Sequence, residues 1–146
     1  MKDVSIYTDG ACKGNPGPGG WSAVLVCENR EKRLCGGEKE TTNNRMELTA
    51  VIKGLEAIIK PCRITVYSDS KYVVDSIQKG WARSWKSRGW KKADKSPALN
   101  IDLFDRLLEY LDKYEVNFVW VKGHAGNRYN ELCDQMAVEA AEEMVY

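Results

Sequence analysis

The sequence has little that would take it out of a plain aqueous setting. Its longest apolar runs are far too short to cross a bilayer, so a membrane partner is not expected. Met1-Lys2-Asp3-Val4 enters a strand pattern at once, and no signal peptide is read there. Five cysteines (Cys12, Cys27, Cys35, Cys62 and Cys133) are odd in number and scattered, with no CxxC pair. Neither a zinc site nor a disulfide framework is supported, and a reducing, cytoplasmic location fits. Internal repeats, low-complexity stretches and linkers are missing too. What remains is 146 residues of ordinary composition, a single domain by size. Such a chain buries about two-thirds of its unfolded surface and needs no staple to fold.

The net charge of +1 would not suggest a nucleic-acid partner, but its distribution does. From Lys79 to Lys95 the chain carries seven cations against Asp94 alone, a net +6 that leaves −5 elsewhere. Trp81, Trp85 and Trp90 are interleaved with those cations. Trp81 and Trp85 sit at helical spacing, and at least one tryptophan is expected to pack inward. A solvated face normally mixes signs. Cations alternating with aromatics suit phosphate binding and sugar stacking, which marks Lys86, Arg88, Lys91 and Lys92 with the tryptophans as candidate contacts.

Hydrophobic periodicity orders the elements. Val4 to Thr8, Trp21 to Cys27 and Arg30 to Gly37 read as strands, the last two joined through Glu28-Asn29. Gly14 to Gly20 is dense in turn residues. Leu48, Val51, Ile52, Leu55, Ile58 and Ile59 keep helical spacing, capped by Asn43 or Asn44 and ended by Pro61. Ile64 to Tyr67 is a fourth strand, and Ser70 caps a helix through Val73, Val74 and Ile77. Asn100 opens a helix packed by Leu103, Phe104, Leu107, Leu108 and Leu111. Val116 to Val121 is a fifth strand, and Leu132 to Ala141 line a final helix. The order predicts an α/β fold, a mixed sheet flanked by helices. Ligands of such sheets bind at the carboxyl ends of parallel strands.

Four carboxylates fall at such ends or on the helices beside them: Asp9, Glu47, Asp69 and Asp134. Each has a bland reading. Asp9-Gly10 suits a turn, Glu47 the back-bonding half of a capping box, Asp69 a cap, and Asp134 a solvated rim. One site accounts for all four together. Like charges about 4 Å apart repel by about 4 kcal/mol at an effective dielectric near 20, so such a cluster calls for a hard divalent cation.

Thr8-Asp9-Gly10-Ala11-Cys12 with Gly14-Asn15-Pro16-Gly17, Thr42-Asn43-Asn44-Arg45-Met46-Glu47, Ser68-Asp69-Ser70, the tryptophan-rich limb, Val121-Lys122-Gly123-His124-Ala125-Gly126 and Asn130 to Asp134 follow one another at telling separations. In this order they resemble ribonuclease H type 1, the bacterial-type ribonuclease HI of the ribonuclease H-like superfamily. The resemblance covers essentially the whole chain and implies a five-stranded mixed β-sheet flanked by α-helices. It implies hydrolysis of the RNA strand of RNA–DNA hybrid duplexes, leaving 5′-phosphate and 3′-hydroxyl ends. It also implies two Mg²⁺ ions, replaceable by Mn²⁺, on Asp9, Glu47, Asp69 and Asp134, with Asp9 bridging both.

The same resemblance makes His124, the only histidine, an aid to turnover, although a lone loop histidine more often just hydrogen-bonds at the surface. It places the backbone around Gly10 to Cys12 against 2′-hydroxyls and Thr42 near a DNA phosphate. Asn15, Asn43 and Asn44 suit turns and caps, and their amides equally suit minor-groove edges and sugars. Lys71 stands where relatives often carry a base-contacting glutamine, and Ser87 where many carry another cation. No obligate protein partner is evident, and a monomer is expected. Two rival readings are a non-catalytic hybrid-binding module, which would need a lost ligand, and a metal-dependent DNA nuclease, against which the asparagines and the basic limb argue.

Overall fold

The structure, a computed structural model, describes residues 1–122 and 127–145. Its elements are β1 (Asp3–Cys12), β2 (Gly17–Cys27), β3 (Arg30–Thr41), α1 (Asn43–Glu56), β4 (Arg63–Ser68), α2 (Lys71–Gln78), α3 (Trp81–Ser87), α4 (Ile101–Lys113), β5 (Glu115–Trp120) and α5 (Arg128–Glu143). The strands form one sheet in the order β3-β2-β1-β4-β5. β1, β2 and β3 pair antiparallel, while β1, β4 and β5 run parallel. The predicted mixed sheet is therefore present, and its parallel half holds the carboxyl ends that matter.

Helices flank both faces, and two successive glycines show why they can approach. A Cβ on Gly19 would lie 2.9 Å from Cγ of Met46 in α1, and one on Gly20 would lie 2.5 Å from the Ala141 amide nitrogen in α5. Neighbouring strand residues face opposite sides, so each glycine admits a different helix. On the α1 face, Ile6, Leu48, Val51, Ile52, Leu55, Ile64, Val66, Phe104 and Leu107 are fully buried together. Burying a side chain of this size contributes about 1.5–3 kcal/mol, so this layer dominates the stability of the fold. On the other face, Cys133, Ala137, Ala140 and Ala141 give α5 a thin buried stripe that lies close on the sheet. Among the described residues no helix is long and apolar enough to cross a membrane.

Several boundaries differ from the sequence reading. β1 does not turn at Asp9-Gly10; it runs on to Cys12, with Asp9 opposite Ser22 and Gly10 opposite Trp21. The glycine-rich stretch turns only around residues 13–16, because Gly17 to Gly20 already pair as strand. β3 continues to Thr41, beyond the expected Gly37. Thr42, rather than Asn43 or Asn44, caps α1, its hydroxyl accepting from the Arg45 N–H at 3.2 Å. That helix stops at Glu56, short of Pro61, where the Ala57 N–H bonds back to Gly54 and Leu55. Ile58 still tucks under the core, but Ile59 is 87% exposed. Ser70 caps α2 as read, accepting from the Val73 N–H at 3.3 Å.

Candidate active site

The parallel pairing of β1 with β4 ends at Tyr7 and Tyr67. Asp9 and Asp69 lie two residues beyond, where the ladder between those strands has stopped. Gly10 then lets α1 close in. A Cβ there would fall 2.6 Å from the Glu47 nitrogen and 2.7 Å from the Met46 carbonyl carbon. Only a glycine allows the first turns of α1 to bring Glu47 beside Asp9. Asp134 arrives on α5 next to Cys133, which is pinned to the sheet twice. The Ser22 hydroxyl donates to the Cys133 carbonyl at 2.6 Å, and the Cys133 thiol donates to the Tyr7 carbonyl at 3.3 Å.

Carboxylate oxygens of Asp9, Glu47 and Asp69 all lie within 4.8 Å of one another. With Asp134, Gly10, Asn43 and Ser70 they line an open cleft of about 310 Å³. Asp9 and Glu47 are only 5% and 4% exposed. Burial, and then the charge of Asp69, push the Asp9 carboxyl up to about 7, although the Gly10 N–H donates to it at 2.8 Å. Burial and the charges of Asp9 and Asp69 hold Glu47 well above the usual carboxylate range. Oε2 of Glu47 is buried with no hydrogen-bond partner among the described residues. A buried carboxylate oxygen without a donor is rare and costly, and three carboxylates at close range fit a hard, oxygen-seeking cation. The donor set is therefore suited to a divalent metal, which the sequence reading asked of it.

The structure gathers Asp9, Glu47, Asp69 and Asp134 around one cleft, as expected from the sequence. His124 lies outside the described residues. Cys12 is half-buried, its thiol donating to the carbonyls of Gly17 (3.5 Å) and Thr41 (3.4 Å). Oδ1 of Asn15 accepts from the Asn43 N–H at 3.0 Å, tying the β1–β2 turn to the start of α1. Asn43 and Asn44 are exposed, Asn43 on the cleft wall. The Lys71 ammonium sits 5.0 Å from the Trp120 ring centroid. Sequence reasoning took Ser70 for a cap alone and missed Ser22. The alternation of β2 would have set Ser22 beside Asp9 had its register been known.

The basic limb forms α3 and the loop after it. Trp85 packs edge-on to Phe104 at 5.6 Å, and Trp90 leans on the same core, so the inward-packing expectation holds for two tryptophans. Trp81 stays 40% exposed. A groove of about 340 Å³ runs between Trp81, Ser84, Trp85, Arg88, Lys92, Ala93 and Asp94. Lys86 points elsewhere, toward α4, where it pairs with Asp105 at 2.7 Å. Lys91 is exposed and its backbone bridges to Pro97.

A mixed five-stranded sheet with a carboxylate cleft past its central parallel strands defines the ribonuclease H-like class of α/β proteins. Within it, the chain belongs to the RNase H family, whose profile matches residues 1–142. The ribonuclease H of Syntrophus aciditrophicus (strain SB) is 56% identical over 141 residues, spanning 97% of this chain and 82% of the relative. Among solved structures, LC9-RNase H1, a type 1 RNase H with the type 2 active-site motif, has a TM-score of 0.87 at 33% identity. That likeness covers 99% of this chain and 74% of the other. LC11-RNase H1, solved in complex with RNA/DNA hybrid, shares the fold with a TM-score of 0.76 at 24% identity, over 98% of this chain and 99% of the other.

Proposed function

We infer that this chain is an endonuclease that hydrolyses the RNA strand of RNA–DNA hybrids, its 146 residues working as one domain. The observation that carries the reading is the trio of carboxylates within 4.8 Å, with a buried Glu47 oxygen that no protein donor satisfies among the described residues. Asp9, Glu47, Asp69 and Asp134 would hold the metal, read as two Mg²⁺ ions with Mn²⁺ able to substitute. When bound, such ions lower the pKa of the attacking water and offset charge on the phosphate.

The chain's own residues do the rest. Asp9, Glu47 and Asp69 offer three ligand oxygens that already lie within 4.8 Å of one another. Gly10 lets α1 close on the strand beside the cleft, and the backbone of Gly10 to Cys12 is assigned to the sugar edge. Asn15 braces Asn43 on the cleft wall, where an amide can meet a minor-groove edge. Thr42 and Asn44 adjoin Asn43 in the chain, and Lys71 adjoins Ser70, so each is assigned to the substrate next to a residue of the cleft wall. The limb groove, lined by Arg88 and Lys92 together with Trp81 and Trp85, suits the DNA backbone. In-line attack of water on phosphorus then leaves a 5′-phosphate and a 3′-hydroxyl. His124 is assigned to proton or product handling. The hybrid seen with LC11-RNase H1 supports this choice of substrate. The chain is further read as a cytoplasmic monomer.

Cleavage of hybrid, double-stranded DNA and double-stranded RNA, each with Mg²⁺ and with EDTA, tests the proposal. Hybrid alone should be cut, at the RNA strand alone, and only with metal. Cleavage of DNA duplex would favour the rival nuclease, and tight hybrid binding without cleavage the binding module.

A further inference from the structure

Trp120 closes β5 and remains 40% exposed, although tryptophan is usually well buried. Its indole N–H donates a 3.1 Å hydrogen bond to the main-chain carbonyl of Asp69. The next residue, Val121, donates its backbone N–H to the Ser68 carbonyl at 2.9 Å. β5 thus grips the last residue of β4 and the carboxylate-bearing residue after it through two adjacent positions. Any non-proline residue can make the bond from Val121, but reaching the Asp69 carbonyl takes a long, rigid donor such as indole. The opposite flank is fixed as well. The Ser68 hydroxyl accepts from the Ser70 N–H at 3.1 Å, and Ser70 caps α2. The Trp120 ring also carries the Lys71 ammonium, at a range where the ring quadrupole attracts a cation. One side chain outside the cleft therefore touches both Asp69 and Lys71 as the chain leaves β4.

We propose that Trp120 is a positioning residue: its indole N–H sets the main chain from which Asp69 enters the carboxylate cluster, and its ring holds Lys71 beside the cleft. The inference rests on the reading of Asp69 as a cation ligand. Trp120 acts through Asp69 and touches neither phosphate nor metal. A polar clamp that is half-exposed contributes little to burial, so its loss registers at the site before it registers in the fold.

Trp120→Phe keeps a ring for Lys71 and deletes the donor. Mg²⁺ binding is measured by titration calorimetry without substrate, beside steady-state cleavage of hybrid and a thermal melt. The variant should melt like the parent, bind Mg²⁺ about 2- to 10-fold more weakly, as one net hydrogen bond allows, and lose kcat with KM for hybrid unchanged. Unaltered Mg²⁺ affinity in a folded variant overturns the proposal. If the variant does not fold, the Trp120 indole resonance of the parent is followed by ¹⁵N NMR. It should move on addition of Mg²⁺, and a resonance that stays still overturns the proposal. A parent that fails to cut hybrid while Trp120→Phe weakens Mg²⁺ binding would remove the functional reading and leave the positioning role standing.

Discussion

The Ser22 hydroxyl, on the strand beside Asp9, donates 2.6 Å to the carbonyl of Cys133, the residue preceding Asp134. A buried side chain thereby joins two members of the carboxylate set that lie far apart in sequence. Ser22→Ala should lower stability by about 1 kcal/mol, since the carbonyl loses a buried donor. It should reduce kcat further than stability alone explains, because α5 is then freer to carry Asp134 out of register. Urea denaturation beside initial rates on hybrid checks both parts.

Gly10→Ala would push a methyl into the Glu47 and Met46 backbone, at 2.6 and 2.7 Å. Backbone cannot rotate away as a side chain does, so α1 must shift. Loss of about 1–3 kcal/mol is expected, as for other overpacked sites. Activity should fall far more than hybrid affinity, because the displaced residue is Glu47. Melting curves and separate kcat and binding measurements distinguish this from simple unfolding.

Asp9→Asn should abolish cleavage while hybrid binding persists. Its effect on the metal-free fold has a sign fixed by titration. Asp9 moves from 3.8 in the unfolded chain to about 7 in the fold. Between those values the native state holds a proton that the unfolded state has released, so stability falls as pH rises across the window. Glu47, raised in the same direction, adds to the decline. In EDTA, Asp9→Asn should therefore outlast the parent above a pH of about 7 and show a shallower loss on the way up from 3.8. Mg²⁺ should restore the parent preferentially. A parent whose EDTA stability does not fall across that window would contradict the clustered charges, and normal turnover by the variant would remove Asp9 from the ligand set.

Arg88→Ala and Lys92→Ala should each weaken hybrid binding more than Lys86→Ala, since Lys86 is already paired with Asp105. Neutralising Lys86, Arg88, Lys91 and Lys92 together should flatten the salt dependence, by about 0.9 in the log–log slope for each phosphate the limb no longer neutralises. Equilibrium binding over a salt series reads the slope directly.

What the sequence made legible follows from how local each signal is. Ser70 caps α2 because a hydroxyl three residues ahead of an amide is a short-range matter. Sheet order and the gathering of the carboxylates emerged from periodicity and from the resemblance together. Asp9-Gly10 misled because an Asp-Gly pair has turn chemistry locally; the pairing with β2 that keeps it extended lies in residues 21 and 22. Ile59 misled because helical spacing continues past the point where the Ala57 N–H turns back. The limb was read as one basic surface, yet Lys86 faces α4 because Asp105 is there, a partner 19 residues away. The clamp from Trp120 to Asp69 spans 51 positions and had no signature at all.

β1 and β4 stop bonding to each other at Tyr7 and Tyr67, and both go on to deliver an aspartate. A fork of this kind is a property of chain topology, not of any single side chain. Substitutions around the rim can retune which polymer is gripped or how firmly, while the place where bonds are broken stays anchored at the parting of two strands. Evolution or design that seeks a new substrate on this frame has the limb and loops to vary, and very little freedom at the fork itself.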